Sequence, residues 1–208
     1  LISKAGRFSV PTCPMASTSN KDGGVNLESW SIFGTYMPDG FDAYEVNGTT
    51  YLVTANEGDG REYVSDADDE ADCTAQGGFL FDDGDCFHYL DEIRVKDLDA
   101  SQFTADLVAK LGADFQDQDK LGRLKVITDL GLEDASACAT LATTGQPIAF
   151  PDETPVAGCV YEDLYSFGSR SFTIWDTSTG RPVFDSGSDF ERITAQQLGA
   201  SFNASNDS

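Results

Sequence analysis

The sequence has few basic residues. Thirteen Lys and Arg stand against 36 Asp and Glu, and the formal net charge of the 208 residues is −23. Nucleic acids and anionic membrane surfaces are themselves negative, so a chain of this charge repels them, and we predict no nucleic-acid partner. Divalent cations, basic proteins and mineral surfaces are the compatible partners, although acidity also serves solubility alone.

Histidine is almost absent, with His88 alone, and no two cysteines form a Cys-x-x-Cys pair. A structural zinc site needs several such ligands, so the sequence argues against one. Gly-x-Ser-x-Gly is missing too. Ser166, Ser169 and Ser171 surround Arg170, which suggests a nucleophile beside a phosphate-binding arginine. Strand packing explains this segment better, because the only His falls in a predicted loop.

The sequence also lacks a signal peptide and any apolar run of membrane length. We therefore predict no membrane insertion in this segment. The chain begins at Leu1 rather than Met. We expect it to be a mature or excised piece of a longer precursor, with the targeting signals elsewhere in that precursor.

Cysteines are present at five positions, and their spacing predicts local disulfides. The expected pairs are Cys73–Cys86 and Cys138–Cys159, each closing a loop-like insert, with Cys13 left over. The alternative is five reduced thiols. The acidic, loop-like sequence around the first pair favours disulfides, and hence an oxidising compartment.

Aromatic residues are plentiful, with 14 Phe and 7 Tyr, and they recur with β-branched residues in short runs separated by Gly, Asp, Asn and Ser. This pattern favours a β-rich fold. The clearest element is a hairpin of Asp42–Val46 and Thr49–Ala55. Asn47-Gly48 lies between the two runs, and this dipeptide tolerates the positive φ that a type I′ turn requires at both central residues.

A dense polar loop follows this hairpin. Its side chains supply oxygen atoms, and Ca²⁺ takes roughly six to eight oxygen ligands. We predict a candidate calcium site whose ligands are Asp39, Asn56, Glu57, Asp59 and Glu62. The alternative is a structural turn in which the acids accept hydrogen bonds from backbone N–H groups and the neighbouring Arg61 pairs with an acid.

The remaining chain alternates short elements with loops. Residues 56–92 are predicted to be rich in loops. Ile93–Leu98 is predicted as a strand, and a helix capped by Asp99 or Ser101 is expected to carry Phe103 to Leu111 and to end at Gly112. A further strand is expected over 121–128.

A second hairpin is predicted from Ser171–Asp176 and Arg181–Asp185, followed by a helix from Asp189 to Leu198.

Strand–turn–strand units of this kind suggest an all-β, β-propeller-like fold with blades of the YVTN or WD type. Residues 1–208 would be part of a single such domain, an incomplete ring of about two to three blades. Short helices and two disulfide-bounded inserts, at about 64–92 and 129–160, would complete it. The alternative is a β-sandwich. Exposed blade edges would need the remainder of the propeller or partner chains.

Three stretches resemble one known family: YMPDGFDAYEVNGTTYLVTANEGDGREY (36–63), LGRLKV (121–126) and YEDLYSFGSRSFTIWDTSTGRPVFDSGSDFERITA (161–195). With NKDGGVNLESW before the hairpin, EIRVKDL after it and FNASND near the end, they are similar to the choice-of-anchor I family in the same order. That family includes proteins described as mesenchyme-specific cell-surface glycoproteins. The resemblance implies a propeller-type domain that is extracellular or lies at the cell surface. The protein would reach that location by a secretory route.

We therefore predict a non-catalytic structural or binding module of a larger surface or matrix assembly, with Ca²⁺ as its candidate bound ion. The alternative is a metal-dependent phosphoesterase, since some bacterial relatives in the family are described as alkaline phosphatases. Sequons for N-glycosylation occur at Asn47, Asn203 and Asn206. Asn47 is expected at an exposed hairpin tip, although turn chemistry alone would also select Asn-Gly there.

Overall fold

The computed structural model of the chain describes residues 14–16, 25, 27–136, 138 and 158–202. The chain divides into two compact units, Leu1–Gly58 with Ser166–Ser208, and Asp59–Tyr165. Cys13, two of the three sequons and most of the predicted insert 129–160 lie outside the described residues.

The described elements are mostly β-strands. In chain order the strands are β1 (Pro14–Ala16), β2 (Leu27–Ser29), β3 (Phe33–Gly34), β4 (Gly40–Val46), β5 (Thr49–Asn56), β6 (Glu62–Asp66), β7 (Leu80–Asp82), β8 (Asp85–Leu90), β9 (Glu92–Arg94), β10 (Lys125–Ile127), β11 (Tyr165–Ser166), β12 (Ser171–Asp176) and β13 (Arg181–Asp185). The α-helices are α1 (Glu70–Ala75), α2 (Ala105–Leu111) and α3 (Asp189–Leu198).

The first unit is built on a four-stranded antiparallel sheet whose spatial order, β4-β5-β12-β13, is also its chain order. The Asn47-Gly48 turn joins β4 to β5 with φ values of 53° and 79°, so the predicted hairpin is confirmed. The second predicted hairpin is confirmed as β12–β13. Asp176 ends β12 and accepts bonds from the Ser178 hydroxyl and backbone N–H, which lower its pKa.

Register separates the side chains of this sheet into two faces. Phe172 and Ile174 of β12 lie opposite Ala55 and Val53 of β5, and Phe184 of β13 lies opposite Ile174. We call this the apolar face; its larger members are Tyr44, Tyr51, Val53, Phe172, Ile174 and Phe184. The other face, the polar face, carries Thr54, Asn56, Ser171, Thr173, Trp175 and Asp185.

The second unit contains a three-stranded antiparallel sheet in the order β6-β8-β7, together with helix α1. Asp69 caps α1 by accepting the Asp72 N–H at 2.9 Å. The Cys73–Cys86 disulfide joins α1 to β8, and its sulfur atoms leave room only for Gly78. The stretch 56–92, predicted to be rich in loops, contains three strands and a helix that the sequence interpretation did not predict. A disulfide and a helix cap take the place of a regular apolar pattern here.

The core of the second unit surrounds Tyr161, which is fully buried and donates its hydroxyl proton to the Thr128 carbonyl at 2.9 Å. Residues 103 and 132 each form a single bridge with it. Strands β9 and β10 pair antiparallel beside this core. Its other buried side chains include Val95, Leu98, Phe103, Leu107, Phe115, Leu121, Val126 and Leu164. The second predicted disulfide, Cys138–Cys159, is present in this unit.

Several predicted boundaries differ from the structure. The strand expected over Ile93–Leu98 ends at Arg94 and continues as a 3₁₀ turn, Val95–Asp97. The helix expected from Asp99 splits into a 3₁₀ turn capped by that residue and α2, which Thr104 caps and Gly112 ends. The strand expected over 121–128 covers only Lys125–Ile127. Among the described strands no sheet closes into a barrel or a ring of blades.

Candidate functional site

The residues after β5 and before β12 meet backbone to backbone in the first unit. Gly58 has a φ of 73° and Gly168 a φ of 63°. A Cβ on Gly58 would lie 2.1 Å from the Gly168 nitrogen, and one on Gly168 would lie 1.7 Å from the Glu57 carbonyl oxygen. Arg170, also at positive φ, donates its N–H to the Asn56 carbonyl at 3.1 Å. Two segments of the family resemblance therefore form one junction, which we call the 56–58/167–170 junction.

A chain of hydrogen bonds on the polar face begins at Trp175. Its indole N–H donates to Thr54 Oγ1 at 2.9 Å, and the Thr54 hydroxyl donates to Asn56 Oδ1 at 3.1 Å. Thr54 and Asn56 are both buried. This order of donors fixes which side of the Asn56 amide accepts, so the Nδ2 side faces β12.

The same chain continues from Asn56 to a carboxylate. Asn56 Nδ2 donates to Ser171 Oγ at 3.1 Å and to Thr173 Oγ1 at 2.6 Å. Both hydroxyls then donate to Asp185 Oδ2, at 3.0 and 2.6 Å, while the Gly187 N–H donates to Oδ1 at 2.8 Å. Donors run in one direction across three strands, and bonds aligned in this way strengthen one another.

Arg170 and Glu191 form an ion pair beside this chain, with Nε 3.1 Å from Oε1. The Glu191 side chain is 8% exposed, whereas that of Arg170 is 46% exposed. Glu191 Oε2 is buried without a hydrogen-bond partner among the described residues. Removing the arginine would leave a buried charge uncompensated, which is strongly destabilising.

These contacts favour a structural role for the segment around Arg170 over a nucleophilic one. Ser171 Oγ is buried, donates to Asp185 and accepts from Asn56, and Ser169 Oγ lies 2.7 Å from it. The guanidinium is engaged by Glu191. A nucleophile needs a base within reach and access for a substrate. Ser171 is held by a carboxylate and strand neighbours instead.

The five predicted calcium ligands are divided between the two units. Asp39 donates its N–H to the Ala55 carbonyl at 3.0 Å, so it lies beside the end of β5, next to Asn56 and the exposed Glu57. The side-chain amide of Asn56 is hydrogen-bonded to residues of the polar face, both through its oxygen and through its nitrogen. Asp59 and Glu62 belong to the second unit, where the Asp59 carboxylate accepts the Gly60 N–H. Among the described residues no three His, Cys, Asp or Glu side chains gather as a metal-binding group. The calcium site stays a prediction.

Arg61 pairs with an acid, as the alternative interpretation of this loop predicts. Its backbone N–H donates to Asp91 Oδ1 at 2.6 Å, its Nε to Oδ2 at 2.7 Å and its Nη2 to the Tyr89 hydroxyl at 2.9 Å. The bond to Asp91 raises the pKa of Arg61. The contact closes the loop onto the end of β8.

The sequence interpretation missed the surroundings of His88. The residue lies in β8, not in a loop, at the position where the β6–β8 register shifts. Its Nε2 lies 2.9 Å from Ser65 Oγ, which also donates to Gln76 Oε1 at 2.7 Å. No local motif links residues so far apart in sequence, so only the pairing of β6 with β8 reveals the contact.

Comparison with known proteins places the chain in a family. The chain matches the family described as "Choice-of-anchor I domain" over residues 15–146 and 150–208. It belongs to the choice-of-anchor I family. No curated protein and no solved structure matches it.

Membership of the choice-of-anchor I family indicates a cell-surface-associated module. The two disulfides agree with a surface or extracellular location, since such bonds persist in oxidising environments. None of the helices in the described part of the chain is long and apolar enough to cross a membrane.

Proposed function

We propose that this choice-of-anchor I chain is a non-catalytic binding module of a cell-surface assembly, and that its four-stranded sheet is one blade of a β-propeller. Propeller blades are four-stranded sheets, and here the four strands are antiparallel and follow chain order. The second unit then is a large insertion between the second and third strands of the blade.

The exposure of the apolar face is the observation that carries this proposal. Tyr44 is 42% exposed, Phe184 44%, and Phe190 of α3, which contacts Phe172, 52%. Sheets bury their apolar faces against another layer, and exposed apolar patches mark interaction surfaces. The remainder of the propeller, or a partner chain that takes its place, is the layer that we propose.

The polar face supports a non-catalytic role. Its hydrogen-bond donors and acceptors satisfy one another from Trp175 to Asp185, so they have a structural task without any ligand. A phosphoesterase would need an activated nucleophile or a metal cluster.

Self-association of the isolated chain tests the exposed face. Without its covering layer, the chain should associate with rising concentration in sedimentation velocity runs. The Phe184→Lys and Phe190→Lys variants should remain monomeric at concentrations at which the parent chain associates. Val64→Lys, an equally exposed apolar position on β6, serves as the matched control and should leave association unchanged. Equal effects of all three variants would contradict a role for this face.

The enzymatic alternative is tested separately. We expect no turnover of p-nitrophenyl phosphate by the chain in the presence of Ca²⁺, Mg²⁺ or Zn²⁺. Turnover that is lost in Ser171→Ala but retained in Ser178→Ala, an exposed serine of the β12–β13 turn, would overturn the non-catalytic proposal.

A calcium site at Asp39 and Glu57 is proposed as part of the module, with further oxygens from its partner. Calorimetry with CaCl₂ should give heat that falls in Asp39→Asn and Glu57→Gln and is unchanged in Asp106→Asn, an exposed acid of α2. Equal heats for all variants would contradict this site.

Asn47 is exposed at the hairpin tip and is proposed as a glycosylation site. Its test is a mass shift on glycosidase treatment of secreted material, absent in Thr49→Val.

A further inference from the structure

The second unit contains a groove of about 520 Å³ over one face of the β6-β8-β7 sheet. Its floor is apolar, formed by Leu80, Phe87, Leu90 and Ile93. Phe87 lies opposite Leu80 of β7, so the floor crosses neighbouring strands and continues to β9. A groove of this volume suits a few side chains of a ligand, since ligand sites commonly measure roughly 300–1,000 Å³.

The rim of the groove carries six charged residues, and three of them are already paired. Lys125 contacts Glu92, and Asp97 contacts Lys96. Glu62 and Asp82 take part in none of the ion pairs of the described residues, and both are exposed. The rim therefore offers two unpaired carboxylates above an apolar floor.

The two free carboxylates lie toward opposite ends of the groove. Glu62 is in register with Leu90, the last residue of β8, and Asp82 with Asp85, the first. A strand of this length spans roughly 16 Å, which is too far for both carboxylates to hold one metal ion. An elongated ligand with a positive group near each end and an apolar group between them fits this arrangement.

Arg94 is the remaining cation of the groove, and it forms no ion pair with a described residue. A guanidinium donates hydrogen bonds only. A simple diamine would find a repulsive charge there, whereas a peptide presents carbonyl oxygens to it. This favours a peptide over a diamine.

We infer that this groove binds an extended basic peptide segment of a partner protein, with an apolar side chain on the floor and a Lys or Arg toward each of Glu62 and Asp82. Side chains two residues apart in an extended segment point the same way, at about 6.6 Å spacing, so a basic-x-apolar-x-basic pattern spans about 13 Å. The inference concerns the second unit and does not rest on the blade proposal.

Titration of the full chain with the blocked peptide Lys-Gly-Leu-Gly-Lys tests this inference by calorimetry. We expect saturable binding that weakens as NaCl rises from about 0.05 to 0.5 M, because the contacts are exposed charges. Glu62→Gln and Asp82→Asn should each lower affinity roughly threefold to fivefold. Asp106→Asn and Asp117→Asn are matched controls, being exposed acids of the same unit outside the groove, and should have no effect.

Control ligands separate the contributions of the groove. Replacing Leu by Ser in the peptide should abolish detectable binding if the floor is used, and replacing both Lys by Glu should do the same. Arg94→Gln should weaken binding of the peptide but should not weaken binding of dodecanediamine. Absence of binding, equal losses in the control variants, or a diamine that binds as tightly as the peptide would overturn the inference.

Discussion

Two glycines hold the 56–58/167–170 junction at the scale of single residues. Gly58 and Gly168 combine positive φ with a backbone neighbour where a Cβ would be. Positive φ alone is common at turns, as at Gly48 and Gly180, where a Cβ would meet nothing within 4 Å. The close approach, not the turn, sets this pair apart, since it lets two main chains touch where β5 and β12 enter their loops.

Alanine at these four glycines separates the two effects. Gly48→Ala and Gly180→Ala should cost about 1 kcal/mol of unfolding free energy, the cost of positive φ. Gly58→Ala and Gly168→Ala should cost about 3 kcal/mol or more, because the backbones must also move apart. Urea unfolding followed by the intrinsic fluorescence of Trp30 and Trp175 measures the difference. Equal costs at all four positions would show that the close approach contributes nothing.

Asn56 is the second decisive residue, because both sides of its amide are used. Asn56→Ala should lower the free energy of unfolding by about 3 kcal/mol, since it leaves hydroxyls of Thr54, Ser171 and Thr173 with unmatched bonds. Ser178→Ala, at an exposed turn, should change it by no more than about 0.5 kcal/mol. Urea midpoints compare the two. A loss at Asn56 as small as that at Ser178 would contradict the network's contribution.

Strands and helices in the second unit are joined by a disulfide and by isolated bridges as well as by sheet pairing. The Cys73–Cys86 bond ties α1 to β8 across a sequence separation of 13 residues. Tyr161 similarly joins two separate chain segments through single bridges to residues 103 and 132. Short elements with little surface of their own depend on such links.

Loss of the Cys73–Cys86 bond should destabilise the unit through its unfolded state. The double variant Cys73→Ser, Cys86→Ser should lose about 3 kcal/mol, the entropic expectation for a loop of this length. Thermal unfolding followed by circular dichroism measures the loss. A control variant in which Ser101 and Ser136 are replaced by Ala should have nearly the same thermal unfolding midpoint as the parent chain. A midpoint shift equal to the control would contradict the prediction.

Tyr161 should make the second unit sensitive to alkaline pH. Burial raises the pKa of its phenol above the value of about 10 that holds in the unfolded chain. The folded state then keeps a proton that the unfolded state releases, so stability is full below pH 10 and falls as the pH rises further. Urea midpoints between pH 8 and 11.5 should fall less steeply in Tyr161→Phe, although that variant starts lower for lack of its bond to Thr128. Parallel curves would contradict this origin.

Elements with strong local signals were predictable from sequence, and those fixed by distant partners were not. Asn47-Gly48 sets its own turn, and Gly199 ends α3 where expected, because both depend on backbone conformation close in sequence. His88 and the strand around it escaped prediction because acids interrupt the alternation of β6 to β8, and a disulfide supplies the missing stability.

The candidate site was predictable only in part, for a related reason. The polar loop after β5 was recognised from its composition, and the YSFGSRSF segment from its serines and arginine. Their meeting at Asn56 was not, since its bonds to Ser171 and Thr173 join residues 115 and 117 positions apart. Sequence patterns describe near neighbours, and this site is made by the pairing of β5 with β12.

Charge is the dominant property at the scale of the whole molecule. A net charge of −23 makes the folded chain repel itself, and salt screens that repulsion. Raising NaCl from about 0.05 to 0.5 M should therefore raise the urea midpoint, most steeply at the low end, where the screening length changes most. The urea midpoint of the double variant Asp117→Asn, Asp119→Asn should rise less with NaCl than that of the parent chain. A midpoint that is flat or falls with salt would show that acidity does not limit stability here.

The insertion of the second unit between β5 and β12 also bears on the order of folding. Pairing these central strands closes a loop of 115 positions, and closing it costs about 3 kcal/mol more entropy than a hairpin of four residues would. The hairpins β4–β5 and β12–β13 need no such closure, so we expect them to form early. Once the second unit folds, its own structure shortens the free chain between them. We therefore expect the four-stranded sheet to be completed last, by the pairing of β5 with β12 at its centre, after the inserted second unit has folded.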